Sequence, residues 1–345
     1  MTDPKNPLGL RGIEFTEFAS SDADFMDQVF KDFGFSKLKR HETKDILYYT
    51  QNDIHFLLNR EQQGFSADFA KAHGPAISAM GWRVDNAEAA LAEAVKRGAK
   101  VAPDSVKDLA YPAIYGIGDS LIYFIDTFGE KGSIYAIDFV NLEAPYIQPD
   151  RGFLSVDHLT NNVYKGTMQT WADFYKNVFG FTEVRYFDIK GAKTGLTSYA
   201  LRSPDGSFCI PINEGNESKS QIEEYLREYN GPGVQHLAFI TRDILASLDA
   251  MEGSAIETLD IAPDYYEEAF QRVPDVKEDK VRIMDHNVLV DGDEQGYLLQ
   301  IFTKNLFGPI FIEIIQRNNH LGFGEGNFKA LFVSIERDQE RRGVI

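Results

Sequence analysis

The chain has 345 residues, a formal net charge of −18 and a single cysteine, Cys209. So acidic a protein repels nucleic acid and anionic membranes, and a lone thiol makes no intramolecular disulfide, which fits a reducing compartment. The opening residues Met1-Thr2-Asp3-Pro4-Lys5-Asn6-Pro7 lack the apolar core of a signal peptide. No run approaches the roughly 20 apolar residues of a membrane span, so a cytoplasmic protein is expected.

In chain order, 1–10 reads as a loose arm and 13–18 as a strand. Ser20-Ser21-Asp22 then caps a helix whose apolar stripe is Phe25, Val29 and Phe30, ending at Gly34. Strand-like runs cover 35–40, 45–51 and 53–59. A second round gives a strand at 79–84, a helix at 87–97, and strands at 122–126 and 134–140. Residues 141–152, with Pro145 and Pro149, read as a linker. The same order then returns: strand 154–160, helix 167–178, strands 184–187, 197–201 and 207–212, strand 235–240 and helix 244–251. The last long strand, 296–303, meets a hairpin partner at 310–316 after the turn Gly308-Pro309.

The letters repeat as well. Phe33-Gly34-Phe35 answers Phe179-Gly180-Phe181, and the stretch from Gly74-Pro75 to Trp82 answers that from Gly231-Pro232 to Phe239. A period near half the chain, with βαβββ units doubled in each half, predicts two similar domains. The expected division is α+β, with domains at 11–140 and 153–320 and a C-terminal lid helix at 321–345. Comparing the halves supplies an internal control. Where the second has His158 and His236, the first has Phe15 and Ala79, so packing alone does not demand imidazoles there.

Glu313 stands among Ile310, Phe311, Ile312, Ile314 and Ile315, where an ionised carboxylate costs several kcal/mol unless it is paired or on a metal. Alternation places Phe311, Glu313 and Ile315 on one strand face. The plain alternative is a buried ion pair with Arg317 or Arg185. However, 78 residues separate His158 from His236 and 77 separate His236 from Glu313, one ligand-type side chain per successive strand element. Two histidines and one carboxylate leave three open positions on a metal, the arrangement of non-heme Fe(II) oxygenases. His41, His55, His73, His286 and His320 lack such a context and read as surface or structural groups.

Three runs carry a specific likeness: Gly231-Pro232-Gly233-Val234-Gln235-His236-Leu237-Ala238; Leu299-Gln300-Ile301-Phe302-Thr303-Lys304 with Phe311-Ile312-Glu313-Ile314-Ile315-Gln316-Arg317; and Gly322-Phe323-Gly324-Glu325-Gly326-Asn327-Phe328-Lys329-Ala330-Leu331-Phe332. Together they resemble the 4-hydroxyphenylpyruvate dioxygenases, and the likeness is strongest from Leu154 onward. The resemblance implies two tandem vicinal-oxygen-chelate domains, glyoxalase- or extradiol-dioxygenase-like, each forming an open barrel. It implies Fe(II) on His158, His236 and Glu313. The implied reaction turns 4-hydroxyphenylpyruvate and O2 into homogentisate and CO2 in tyrosine breakdown, in a homodimer or homotetramer. In the family pocket, Ser198, Asn213, Gln221 and Gln300 match catalytic polar positions. Pro211, Phe302, Phe311, Phe328 and Phe332 match substrate-lining ones, the last two as an aromatic lid on a flexible glycine-rich segment. Gln235 matches a substrate-contact position, although strict alternation turns its side chain to the opposite face. The alternatives are 4-hydroxymandelate synthase on the same iron site, another enzyme of this fold, or a non-catalytic protein that kept it.

Overall fold

Each half of the chain builds an eight-stranded sheet on one plan. The computed structural model describes residues 3–190 and 194–343. The first sheet contains β1 (Leu10–Ala19), β2 (Ser36–His41), β3 (Ile46–Gln51), β4 (Ile54–Asn59), β5 (Ala76–Val84), β6 (Ala113–Tyr115), β7 (Leu121–Ile125) and β8 (Phe139–Tyr146), in the order β6-β7-β5-β1-β4-β3-β2-β8. The second contains β9 (Phe153–Asn162), β10 (Thr182–Lys190), β11 (Gly195–Arg202), β12 (Cys209–Gly215), β13 (Gly233–Thr241), β14 (Leu289–Gly292), β15 (Tyr297–Phe302) and β16 (Phe311–Asn318), in the order β10-β11-β12-β9-β13-β16-β15-β14. In both, the opening strands of the two units pair antiparallel, β1 with β5 and β9 with β13. The last strand of a unit then returns parallel to its opener, as β12 does to β9 and β16 to β13. This arrangement puts β9, β13 and β16 side by side in the middle of the second sheet.

The halves share one apolar core. Trp82, fully buried on β5, meets Phe179 at 4.7 Å and Phe208 at 5.3 Å between ring centroids. Phe239 of β13 meets Phe33, Phe35 and Phe56 of the first half. Such edge and offset contacts between large rings add to the burial itself.

The structure departs from the pattern reading in three places. The first helix, Ala23–Asp32, is capped by Asp22 as expected, but Met26 joins Val29 and Phe30 inside while Phe25 is 48 % exposed. Residues 134–140 do not form one strand. The Ser133 side chain accepts a hydrogen bond from Tyr135 N and starts a short helix, Ile134–Ile137. β8 follows and pairs with β2 at the far edge of the sheet, so the connection between halves begins only after Tyr146. Finally, the helices Phe65–His73, Gln221–Glu228, Asp264–Arg272 and Lys280–Asp285 fill stretches to which the pattern reading assigned no element. Among the described residues, no helix is long and apolar enough to cross a membrane.

Candidate active site

His158, His236 and Glu313 come together from β9, β13 and β16, and one ligand-type atom of each lies within 4.8 Å of the others. All three are buried, with Glu313 only 2 % exposed. Its Oε2 faces both rings, 3.1 Å from His158 Nε2 and 3.5 Å from His236 Nε2. Neither of the two candidate arginines neutralises it: Arg317 pairs with Asp157, and Arg185 with Glu325. Burial would raise the Glu313 pKa, but the two imidazoles outweigh it and draw it down to about 2. Burial likewise opposes a charged His158, yet Glu313 and Asp157 lift that ring to about 9. At His236 burial prevails and the pKa falls. The ionised carboxylate thus sets a negative potential at the meeting point of the three side chains, which is what draws a cation there.

Two β-bulges orient the rings. Along β9 and β13 the register steps from His158↔Ala238 to Val156↔Phe239, leaving Asp157 as the extra residue. It steps again between Asn161↔Val234 and Thr160↔His236, leaving Gln235 as the extra residue of β13. A bulge re-aims side chains that alternation would send away. Asp157 Oδ2 therefore accepts a hydrogen bond from His158 Nδ1 at 2.8 Å, and Gln235 Oε1 lies 3.1 Å from His236 Nδ1. With Nδ1–H engaged, each ring presents Nε2 toward Glu313. The expectation that Gln235 faces away from the site fails for this reason. Both bulges recur in the first half, at Glu14 and Ser78. There the ligand positions hold Phe15, Ala79 and, opposite Gly81, Tyr123, so rings fill the space.

The triad lines a cavity of about 730 Å³, open space at its mouth included. All the other residues singled out in the sequence line it too: Ser198, Pro211, Asn213, Gln221, Gln235, Gln300, Phe302, Phe311, Phe328 and Phe332. Phe311 stacks on His236 at 4.7 Å, and Gln300 Nε2 donates to Glu313 Oε1 at 3.1 Å. Gln300 is held in turn by Asn327 Nδ2 at 2.9 Å, so a residue leading into the C-terminal helix Phe328–Arg341 steadies the carboxylate indirectly. Polar ties hold that helix over the cavity: Gln339 to Glu224, Arg342 to Glu224, and Glu336 to Thr194.

A family model described as hydroxyphenylpyruvate dioxygenase, N-terminal, matches residues 4–140, and one for the glyoxalase, bleomycin resistance protein and dioxygenase superfamily matches 155–300. Protein MelA of Shewanella colwelliana is 72 % identical over 100 % of both chains. The 4-hydroxyphenylpyruvate dioxygenase of Pseudomonas aeruginosa is 44 % identical over 99 % of this chain and 97 % of its own. The chain belongs to the 4-hydroxyphenylpyruvate dioxygenase family. Among solved structures, a mutant of 4-hydroxymandelate synthase from Streptomyces coelicolor superposes with a TM-score of 0.81 at 25 % identity, covering 95 % of this chain and 99 % of that one. The two similar units read from the repeat are therefore glyoxalase-type, as the family resemblance implied.

Against that fold, sequence reasoning missed Asp157, Asn327, Phe187 and Phe323. Phe187 of β10 meets Phe328 at 5.0 Å, and Phe323 meets the His158 ring at 5.7 Å. The acid directly before His158 in an apolar strand was the available signal for Asp157. One glycine of the run before the helix answers to a close approach. Gly324 has φ +79°, and a Cβ there would lie 1.7 Å from Gln300 Oε1. Gly324→Ala is therefore expected to displace Gln300 and lower kcat/KM roughly tenfold or more with the metal still bound. Steady-state kinetics beside a metal assay checks this.

Proposed function

We propose that the chain converts 4-hydroxyphenylpyruvate and O2 to homogentisate and CO2 in tyrosine catabolism, with Fe(II) held by His158, His236 and Glu313. One observation carries the reading: a buried two-histidine, one-carboxylate cluster lining a cavity that six phenylalanines also line. The donor set fits Fe(II), since two neutral imidazoles and one carboxylate on one side leave positions for other ligands. Fe(II), when bound, supplies a chelating centre for the substrate's 2-oxo acid and the means to activate O2.

The chain's own residues do the rest. Glu313 contributes the single negative charge of the ligand set, and Gln300 fixes its second oxygen. Phe302, Phe328 and Phe332 give the substrate ring an apolar slot that excludes water. Ser198, Asn213 and Gln221 offer hydrogen bonds to the phenol and to the 2-oxo acid oxygens, which sets the direction in which the substrate lies. A homodimer or homotetramer in the cytoplasm belongs to the same reading, and light scattering of the purified protein checks the assembly.

The test is oxygen uptake by Fe(II)-loaded protein given 4-hydroxyphenylpyruvate, with the product identified by chromatography. Homogentisate is the expected product. 4-Hydroxymandelate would move the chain to the sister activity, that of one solved structural neighbour, and no uptake with iron bound would overturn the substrate assignment. Phe328→Ala removes one wall of the slot. It is expected to raise KM about tenfold, the order of one lost apolar contact, or to shift the product ratio while iron stays bound. Loss of iron in that variant would contradict the lid role.

A further inference from the structure

We propose that Asp157 and Arg317 form a positioning unit that couples the orientation of the metal ligand His158 to the docking of the segment leading into the C-terminal helix. The inference rests on the metal reading above and extends it. Asp157 receives His158 Nδ1 on Oδ2, and it is gripped by the Arg317 fork, Nε to Oδ1 and Nη2 to Oδ2, both at 2.8 Å. A bidentate grip on a carboxylate leaves little freedom in either group. The remaining arginine nitrogen, Nη1, donates to two backbone carbonyls of the segment, His320 O at 3.1 Å and Gly322 O at 2.6 Å. Phe323, the next residue, lies under the guanidinium at 5.9 Å and sets its ring against His158 at 5.7 Å. The segment therefore reaches His158 twice, once through Arg317 and Asp157 and once through Phe323.

The first half separates scaffold from function. Its bulge acid, Glu14, also holds an arginine, Arg83 Nε at 2.5 Å, but that arginine comes from β5, the match of β13, whereas Arg317 comes from β16. There, however, the acid is followed by Phe15 and has no imidazole. The other Arg83 nitrogens go to the Asp53 carboxylate, not to backbone carbonyls of a chain segment. Only the second half joins a ligand histidine at one end of the pair to the lid approach at the other. Coupling of this kind is reciprocal: whatever fixes His158 favours the docked segment, and the docked segment favours a correctly aimed His158.

The test uses Co(II), a redox-quiet probe of the triad, titrated into metal-free full-length protein. Amide exchange over 320–328 is followed with and without Co(II). In the wild type, Co(II) is expected to slow exchange there. Asp157→Asn and Arg317→Lys are each expected to weaken Co(II) binding about 10- to 100-fold, the usual cost of losing an outer partner of a ligand histidine, and to abolish the protection. Arg83→Lys, which loosens the acid–arginine pair of the first half, should leave Co(II) affinity at the wild-type value. If Asp157→Asn does not fold, Arg317→Lys, which keeps the charge but loses the fork, decides. Wild-type affinity in Arg317→Lys, or unchanged exchange on adding Co(II) to the wild type, overturns the coupling. Failure of the wild type to bind Co(II) overturns the metal site itself.

Discussion

Glu313→Gln is expected to lose metal affinity by more than about 100-fold and to stop oxygen consumption while the protein stays folded. Changes to an outer partner of a ligand cost roughly 10- to 100-fold, so exchanging a direct ligand should exceed that range. The amide keeps the shape of the carboxylate but removes the one negative charge at the centre. Its NH2 group would also face either the Gln300 donor, now 3.1 Å from Oε1, or the imidazoles around Oε2. Breaking a buried ion pair usually costs about 3–5 kcal/mol because the remaining charge is stranded. Here His158, lifted to about 9 largely by Glu313, can release its proton once the carboxylate is gone, so no stranded charge persists. Metal titration and an oxygen electrode on one preparation, with a melting curve to show that the fold survives, measure all three effects. Full oxygen uptake by this variant would remove Glu313 from the centre.

The three metal-type residues were legible because the sequence places each where burial punishes it. A carboxylate among isoleucines and imidazoles in mid-strand are conspicuous, and the first half, with Phe15 and Ala79 at the matched positions, shows what packing alone would choose. The register bears out that matching: His158 opposes Ala238 as Phe15 opposes Gly81, and His236 opposes Thr160 as Ala79 opposes Glu17. The outer partners were not legible in the same way. A bulge is a property of two paired strands, so one strand's alternation cannot reveal that Asp157 and Gln235 turn toward the site. Arg317 was visible as a cation near Glu313, but choosing between Glu313 and Asp157 needed the third dimension. The edge pairing of β8 with β2 was hidden for a related reason, since an eight-residue strand carries no record of which of two sheet edges it will join. The hairpin of β15 and β16 was readable because its turn and both of its strands are contiguous in the chain.

The largest stability effect outside the site is expected at Glu17, in the first half's counterpart of the catalytic cavity. Glu17 is fully buried on β1. Its Oε1 accepts from Asn59 Nδ2 at 2.8 Å and Ser66 Oγ at 2.7 Å, and its Oε2 has no hydrogen-bond partner among the described residues. Burial, reinforced by nearby Asp108 and only partly offset by those two donors, raises its pKa from 4.5 to about 7. The folded value lies above the unfolded one, so the unfolded chain gives up this proton at lower pH. The group's contribution to stability is therefore whole below pH about 4.5, declines as pH rises, and is fully lost above pH about 7. At about 1.4 kcal/mol per unit, the loss amounts to about 3 kcal/mol. Glu17→Gln keeps an acceptor for Asn59 and Ser66 and cannot ionise. Its stability relative to wild type should therefore improve by about that amount between pH 4.5 and pH 8. Urea unfolding of both proteins at the two pH values measures the difference of differences, in which every other titrating group cancels. A pH-independent gap between the two proteins would mean that Glu17 titrates alike in the folded and unfolded chain, which requires a partner for Oε2 that the geometry does not supply.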